Sequence, residues 1–292
     1  HRDLHSFPTR RSSDLLPAHI ELRECVGEGA MGTVWRAWDA KAGCFVAVKV
    51  PRRDSPRLLL RFKTEFRTAQ RVVHPNLVAV RALYAESGTP AFTMEWVDGS
   101  PLHSVVRADD HAWARHLFRQ LLDALATVHA AGMVHGDVKG SNCLATDDCR
   151  LMLLDFGLAR MLGEEHAQLA GTLTHMDPDL LDGGESAPSS DLYAVGVMLY
   201  KWLTGRFPVR GSLADQLQGK RALWFSAPDR LVPGVDPVLS ALAMDLLHPE
   251  RGGRPCARQA LDRLLTNGRE ANLIRSDIGQ ADLMHAMSSI YS

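Results

Sequence analysis

The chain has 292 residues, 46% of them hydrophobic and 23% charged, with a formal net charge of -1; this is enough for two modest lobes but not for several independent domains, and so balanced a charge gives no basic field for nucleic acid. Its five cysteines, Cys25, Cys44, Cys143, Cys149 and Cys256, are odd in number and nowhere spaced Cys-x-x-Cys, which argues against a disulfide framework or a zinc cluster and fits a reducing, cytoplasmic location. The longest apolar stretch, Leu192 to Leu203, contains Lys201 and falls short of the roughly 20 residues a membrane-spanning helix needs.

Residues 1–16 show neither helical nor strand periodicity. Ser6 to Leu15 back-translates to a widely used sequencing adapter, so the segment is read as foreign to the fold, with a disordered basic arm as the other reading. On the adapter reading the native amino terminus is missing and the parent protein is longer.

Glu21–Val26, Gly32–Asp39 and Cys44–Val50 are rich in β-formers and separated by glycine or charged turns, and the simplest arrangement is three short antiparallel strands. Gly27-Glu28-Gly29-Ala30-Met31-Gly32-Thr33-Val34 lies between the first two. In a dinucleotide-binding fingerprint the third glycine opens a helix, so this placement excludes that reading. Glycines at 27, 29 and 32 let backbone N–H groups approach phosphate oxygens, with Val34 against one face of an adenine; a ligand-free hairpin explains the loop alone equally well.

Val46-Ala47-Val48-Lys49 puts a lysine in the middle of an apolar strand. An unpaired buried ammonium is costly, so Lys49 needs anions. The next segment, Leu58–Val72, sets Leu59, Phe62, Phe66 and Ala69 on one helical face, and it carries Glu65 as a candidate partner.

Beyond Phe92–Gly99 the chain turns mostly helical, with apolar stripes over Ala112–Ala131, Ser190–Leu203, Pro237–Leu247 and Ala257–Leu265. The first three run into Gly132, Gly205 and Pro249, ordinary helix stops. Val134-His135-Gly136-Asp137-Val138-Lys139-Gly140-Ser141-Asn142 follows the first of these helices, and Asp155-Phe156-Gly157 comes a short hairpin later.

In order and spacing, the glycine loop, strand lysine, loop aspartate, Asp-Phe-Gly and the segment Gly171 to Asp179 resemble the protein kinase family over roughly Ile20 to Leu265. The resemblance implies an α+β bilobal protein-kinase fold: a small β-rich N-lobe with one main helix and the hinge (17–97), a larger α-helical C-lobe (98–266), and a C-terminal helical extension (267–292). It implies a serine/threonine protein kinase that uses ATP and Mg²⁺ on a protein substrate, looks bacterial, and leaves room for further domains in a longer protein.

Carried over by position, Asp137 resembles the catalytic aspartate and Lys139 the lysine that steadies the γ-phosphoryl group. Lys49 and Glu65 resemble the phosphate-positioning pair, and Asn142 and Asp155 the two magnesium ligands. Glu95, Trp96 and Val97 align with the hinge, while Val34, Ala47 and Leu144 align with the adenine sandwich. Thr172 resembles the activation-segment threonine near Asp137, Asp191 the brace of the catalytic loop, and Asp179 a shortened carboxylate expected to pair with Arg254.

Two departures agree with each other. Gly136 replaces the arginine that clasps an activation-loop phosphate, and the only hydroxyl residues between Gly157 and Asp179 are Thr172 and Thr174. Activity is therefore expected to be independent of activation-loop phosphorylation, with Glu164 and Glu165 as candidate fixed charges. The alternative is an ATP-binding pseudokinase or scaffold module, which would show substitutions at Lys49, Asp137, Asn142 or Asp155; none is substituted. A small-molecule kinase would lack the 171–179 segment and the Asp191 and Arg254 braces.

Overall fold

The computed structural model describes residues 16–29, 32–51, 56–85, 90–106, 110–155, 160–161 and 173–272. The amino-terminal part is a sheet built from β1 (Ile20–Gly29), β2 (Gly32–Asp39), β3 (Cys44–Pro51), β4 (Val80–Tyr84) and β5 (Ala91–Glu95), crossed by helix α1 (Pro56–Ala69). The five strands run in the order β1-β2-β3-β5-β4, all neighbours antiparallel. The sheet thus adds β4 and β5 to the three strands expected. β1 extends past Val26, because Gly27 and Glu28 stay paired with Val34 and Thr33 and carry the ladder into the glycine loop.

Burial explains the sheet's orientation. Val46, Ala47, Val48 and Val50 of β3 are all buried, as a central strand covered on both faces requires. Helix α1 lays Phe62 and Phe66 on Phe92 of β5, with ring centroids 4.8 and 5.7 Å apart, and so brings Glu65 over β3. The helix stops before the expected Val72, close to His74-Pro75, where the residue before a proline disfavours helical backbone.

The rest is helical, with two small sheets at its upper end. In chain order it comprises β6 (Gly99–Pro101), α2 (His111–Ala130), β7 (Met133–Val134), β8 (Cys143–Thr146), β9 (Leu151–Leu153), β10 (Arg160–Met161), α3 (Pro178–Leu181), α4 (Pro188–Thr204), α5 (Leu213–Arg221), α6 (Pro228–Leu231), α7 (Pro237–Leu246) and α8 (Ala257–Asn272). This is the bilobal α+β kinase architecture.

Helix α4 is apolar nearly all round and is the axis of this core, with residues 190 to 200 all buried. At Gly196 an added Cβ would lie 2.8 Å from Leu246 Cβ, so glycine is what lets α4 and α7 pack this closely. Asp110 caps α2 through Trp113 N–H, and Gly205, at φ 72°, ends α4 in the left-handed conformation. No helix among the described residues is long and apolar enough to cross a membrane.

Candidate active site

Two pieces of local structure bring the predicted residues together. β8 pairs with β9 so that Cys143 faces Leu153 and Leu144 faces Met152. Asn142 and Asp155 therefore flank adjacent strands of one hairpin, and Leu154 N–H donates to Asn142 O at 2.8 Å. Below them the buried Asp191 of α4 accepts the N–H groups of His135 and Gly136, each at 2.8 Å, and its Oδ2 lies 2.9 Å from His129 Nε2. Gly136 sits at φ 77°, a backbone conformation that favours glycine.

On that platform Asp137 is held by both neighbours. Lys139 Nζ donates to its two carboxylate oxygens at 3.0 and 2.8 Å, and Asn142 Nδ2 donates to its Oδ2 at 2.8 Å and its backbone O at 2.9 Å. The carboxylate is thereby fixed in orientation. Because both Nδ2 bonds of Asn142 go to Asp137, the amide oxygen is the group left for another partner.

Lys49 answers the charge problem posed by its sequence. Its Nζ lies 2.5 Å from Glu65 Oε1 and 2.7 Å from Asp155 Oδ1, with only 6% of its side chain exposed. Burial works to lower its pKa, but the Glu65 and Asp155 carboxylates outweigh this and leave it raised. Burial also pushes Glu65 up to about 7, with Lys49 opposing and Asp155 adding to the rise. Asp155 takes the left-handed conformation at φ 63°, uncommon for a residue with a side chain and a mark of a functional turn.

The ring-sandwich candidates lie on the amino-terminal sheet, Val34 on β2 and Ala47 on β3, and on the β8–β9 hairpin, Leu144 on β8. Val34 pairs with Lys49 and with Gly27 across the sheet, and Ala47 faces Met94. Val97 is buried in an apolar cluster with Met152, against which Leu144 packs. Glu95 ends β5, with its side chain 3.6 Å from Arg150. A Cβ on Gly27 would meet nothing within 4 Å among the described residues. At Gly32 a Cβ would lie 2.1 Å from Val50 O. Gly29 closes the ladder opposite Gly32; Ala30, Met31, Phe156, Gly157, Glu164, Glu165, Gly171 and Thr172 lie outside the described residues.

With this geometry in place the comparisons are direct. A model of the protein kinase domain matches residues 20–265. The chain belongs to the protein kinase family. It is 33% identical over 211 residues to the serine/threonine-protein kinase PknA of Mycobacterium tuberculosis, covering 67% of this chain and 49% of the relative. With the serine/threonine-protein kinase PkaA of Streptomyces coelicolor it shares 31% identity over 293 residues, 91% of this chain and 53% of the relative. With PknD of Chlamydia pneumoniae it shares 29% over 266 residues. The chain thus spans about half the length of the first two relatives.

One structural expectation for this kinase domain is corrected. Arg254 pairs with Asp177, not with Asp179: Arg254 Nη1 donates to Asp177 Oδ2 at 2.8 Å. Asp177 precedes Pro178 and caps α3 by accepting Leu180 N–H, which turns its carboxylate inward. Asp179, in the first turn of α3, instead meets Arg221 at 2.7 Å and Arg251 at 2.9 Å. The reading of the residues also missed Lys220 of α5. This lysine is fully buried, and its Nζ donates to the backbone oxygens of Leu173, Thr174 and Met176 at 2.8, 3.1 and 2.7 Å. Burial lowers its pKa to about 7, against the pull of Asp177.

Proposed function

We propose that this protein kinase domain transfers the γ-phosphoryl group of Mg-ATP to serine or threonine hydroxyls of a protein substrate. The observation that carries this reading is the carboxylate of Asp137, held by Lys139 and Asn142 and placed by the Asp191 brace. A carboxylate so oriented accepts the proton of an incoming hydroxyl, and Lys139 beside it steadies the phosphoryl oxygens. Lys49, kept charged by Glu65 and Asp155, is the cation for the non-transferred phosphates.

Bound Mg-ATP supplies the transferable group and the divalent cation that offsets its charge. The residues present suit that cation: the Asn142 amide oxygen and the Asp155 carboxylate are hard oxygen donors. Gly27, Gly29, Gly32, Val34, Ala47, Glu95, Val97 and Leu144 would bind the nucleotide, and Thr172 would lie near Asp137. We place the boundary between lobes at residues 97 and 98, with 267–292 as an extension.

Control by activation-loop phosphate is dispensable on this reading. Residues 173–182 are already tied down by Lys220, Arg221, Arg251 and Arg254, and glycine at 136 offers no guanidinium to a phosphate. Incubation with γ-labelled Mg-ATP and a generic protein substrate tests the activity. Label on serine or threonine that is lost in Asp137→Asn supports it, and nucleotide binding without label overturns it. Phosphatase treatment is expected to leave the rate unchanged.

A further inference from the structure

Beside the catalytic loop is a cavity of about 240 Å³, lined in part by His103, Lys139, Ser141, His175 and Lys201. That is ample room for a short side chain or several waters. It opens where the turn Leu102–Ser104 packs on the turn Gly140–Asn142, so tightly that a Cβ on Gly140 would lie 3.2 Å from His103 Cβ. Phe207 links two of its walls: Lys201 Nζ is 4.4 Å from the ring centroid, and the His175 ring meets the same ring edge-on at 5.6 Å.

No carboxylate lines the cavity among the described residues. Lys139 is already paired with Asp137, but no carboxylate forms an ion pair with Lys201 among the described residues, although its side chain is half-buried. Burial lowers the His175 pKa to about 4, and Lys220, Lys201 and Lys139 act in the same direction, although Lys139 is offset by Asp137 and Lys220 is itself lowered to about 7. A partly desolvated cation without a carboxylate partner, in a cavity whose described lining holds no carboxylate, calls for an anion.

We propose that this cavity is a specificity subsite for an acidic side chain of the protein substrate, with Lys201 as its cation and His103 and His175 as hydrogen-bonding walls. The inference rests on the kinase reading, since it places the acceptor hydroxyl at Asp137, and it adds the substrate class: segments with aspartate or glutamate a few residues from the acceptor. Lys201 takes no part in the transfer itself.

The test uses short peptides with one threonine acceptor, in which a single aspartate, alanine or lysine is walked along both flanks. At one position or more the aspartate peptide should be used about tenfold better in kcat/KM than its alanine counterpart, the scale of one partly buried ion pair. Lys201→Glu should invert the ranking toward lysine while leaving the all-alanine peptide unchanged, and Lys201→Met should abolish the preference without inversion. Binding of the same peptides with alanine at the acceptor, read by fluorescence anisotropy, should follow the same order. Equal use of aspartate and alanine peptides at every position, or a preference that survives both variants, overturns the subsite and leaves the kinase reading intact. Peptide binding without any transfer of label overturns the kinase reading itself, and this proposal with it.

Discussion

Arg254 Nη1 donates to Asp177 Oδ2 at 2.8 Å, and neither side chain reaches solvent. Burial alone would raise the Asp177 pKa, yet Arg254, the Leu180 N–H and Arg251 together hold it below the ordinary carboxylate range. Removing one partner strands the other charge in the core, so Asp177→Ala should lower the unfolding free energy by about 3–5 kcal/mol. Asp179 shares partly exposed arginines, and Asp179→Ala should cost no more than about 1 kcal/mol. Urea unfolding of the two variants checks both, and equal losses would refute the assignment.

Lys220 presents two opposed effects. Its buried ammonium is expensive, and exchanging a buried charge for an apolar side chain is often neutral or stabilising. Its three hydrogen bonds, however, satisfy carbonyls of the segment before α3 that would otherwise be left bare. Lys220→Met is therefore expected to change global stability by less than about 2 kcal/mol while loosening that segment. Limited proteolysis should cut faster between Leu173 and Met176, and the KM for protein substrate should rise about tenfold with little change in the KM for ATP.

Lys220 also shows why part of the molecule is illegible in the sequence. Helix α5 buries Gln216, Gly219 and Lys220, so its inward face carries no apolar stripe and period-3.6 reasoning passes over it. Helices α2, α4 and α7 bury leucines, valines and aromatics, and their predicted bounds hold within two residues. The Lys49–Glu65 contact was legible because an ammonium inside an apolar strand demands a partner. The Asp177 brace was obscured by the resemblance, which directs attention to the carboxylate after Pro178. The local signal, an aspartate directly before a proline-led helix, points to Asp177 as a cap.

Lys49→Met leaves Glu65 and Asp155 facing each other without their shared cation. Phosphate binding and transfer should both suffer, with kcat/KM down by about 10²–10³, the usual scale for removing a preorganised charge. Glu65→Gln keeps the side chain's shape and a hydrogen-bond acceptor, and should lose less because Asp155 still neutralises Lys49. Nucleotide titration beside steady-state kinetics separates these variants, and a larger loss from Glu65→Gln than from Lys49→Met would contradict the geometry.

His175 makes a pH prediction with a definite sign. Burial, with Lys220, Lys201 and Lys139 adding to it, lowers its pKa from the ordinary imidazole value of 6.5 to about 4. Between those values the unfolded chain binds a proton that the folded protein refuses, so stability rises with pH across this window. The contribution is fully present above pH 6.5 and is lost as pH falls toward 4, amounting to about 3 kcal/mol when complete. Urea unfolding at pH 7 and near pH 4.5 should therefore show a larger acid loss in the wild type than in His175→Asn, which keeps a polar side chain but cannot titrate. Equal acid losses in the two proteins would mean that His175 accepts its proton freely in the folded protein.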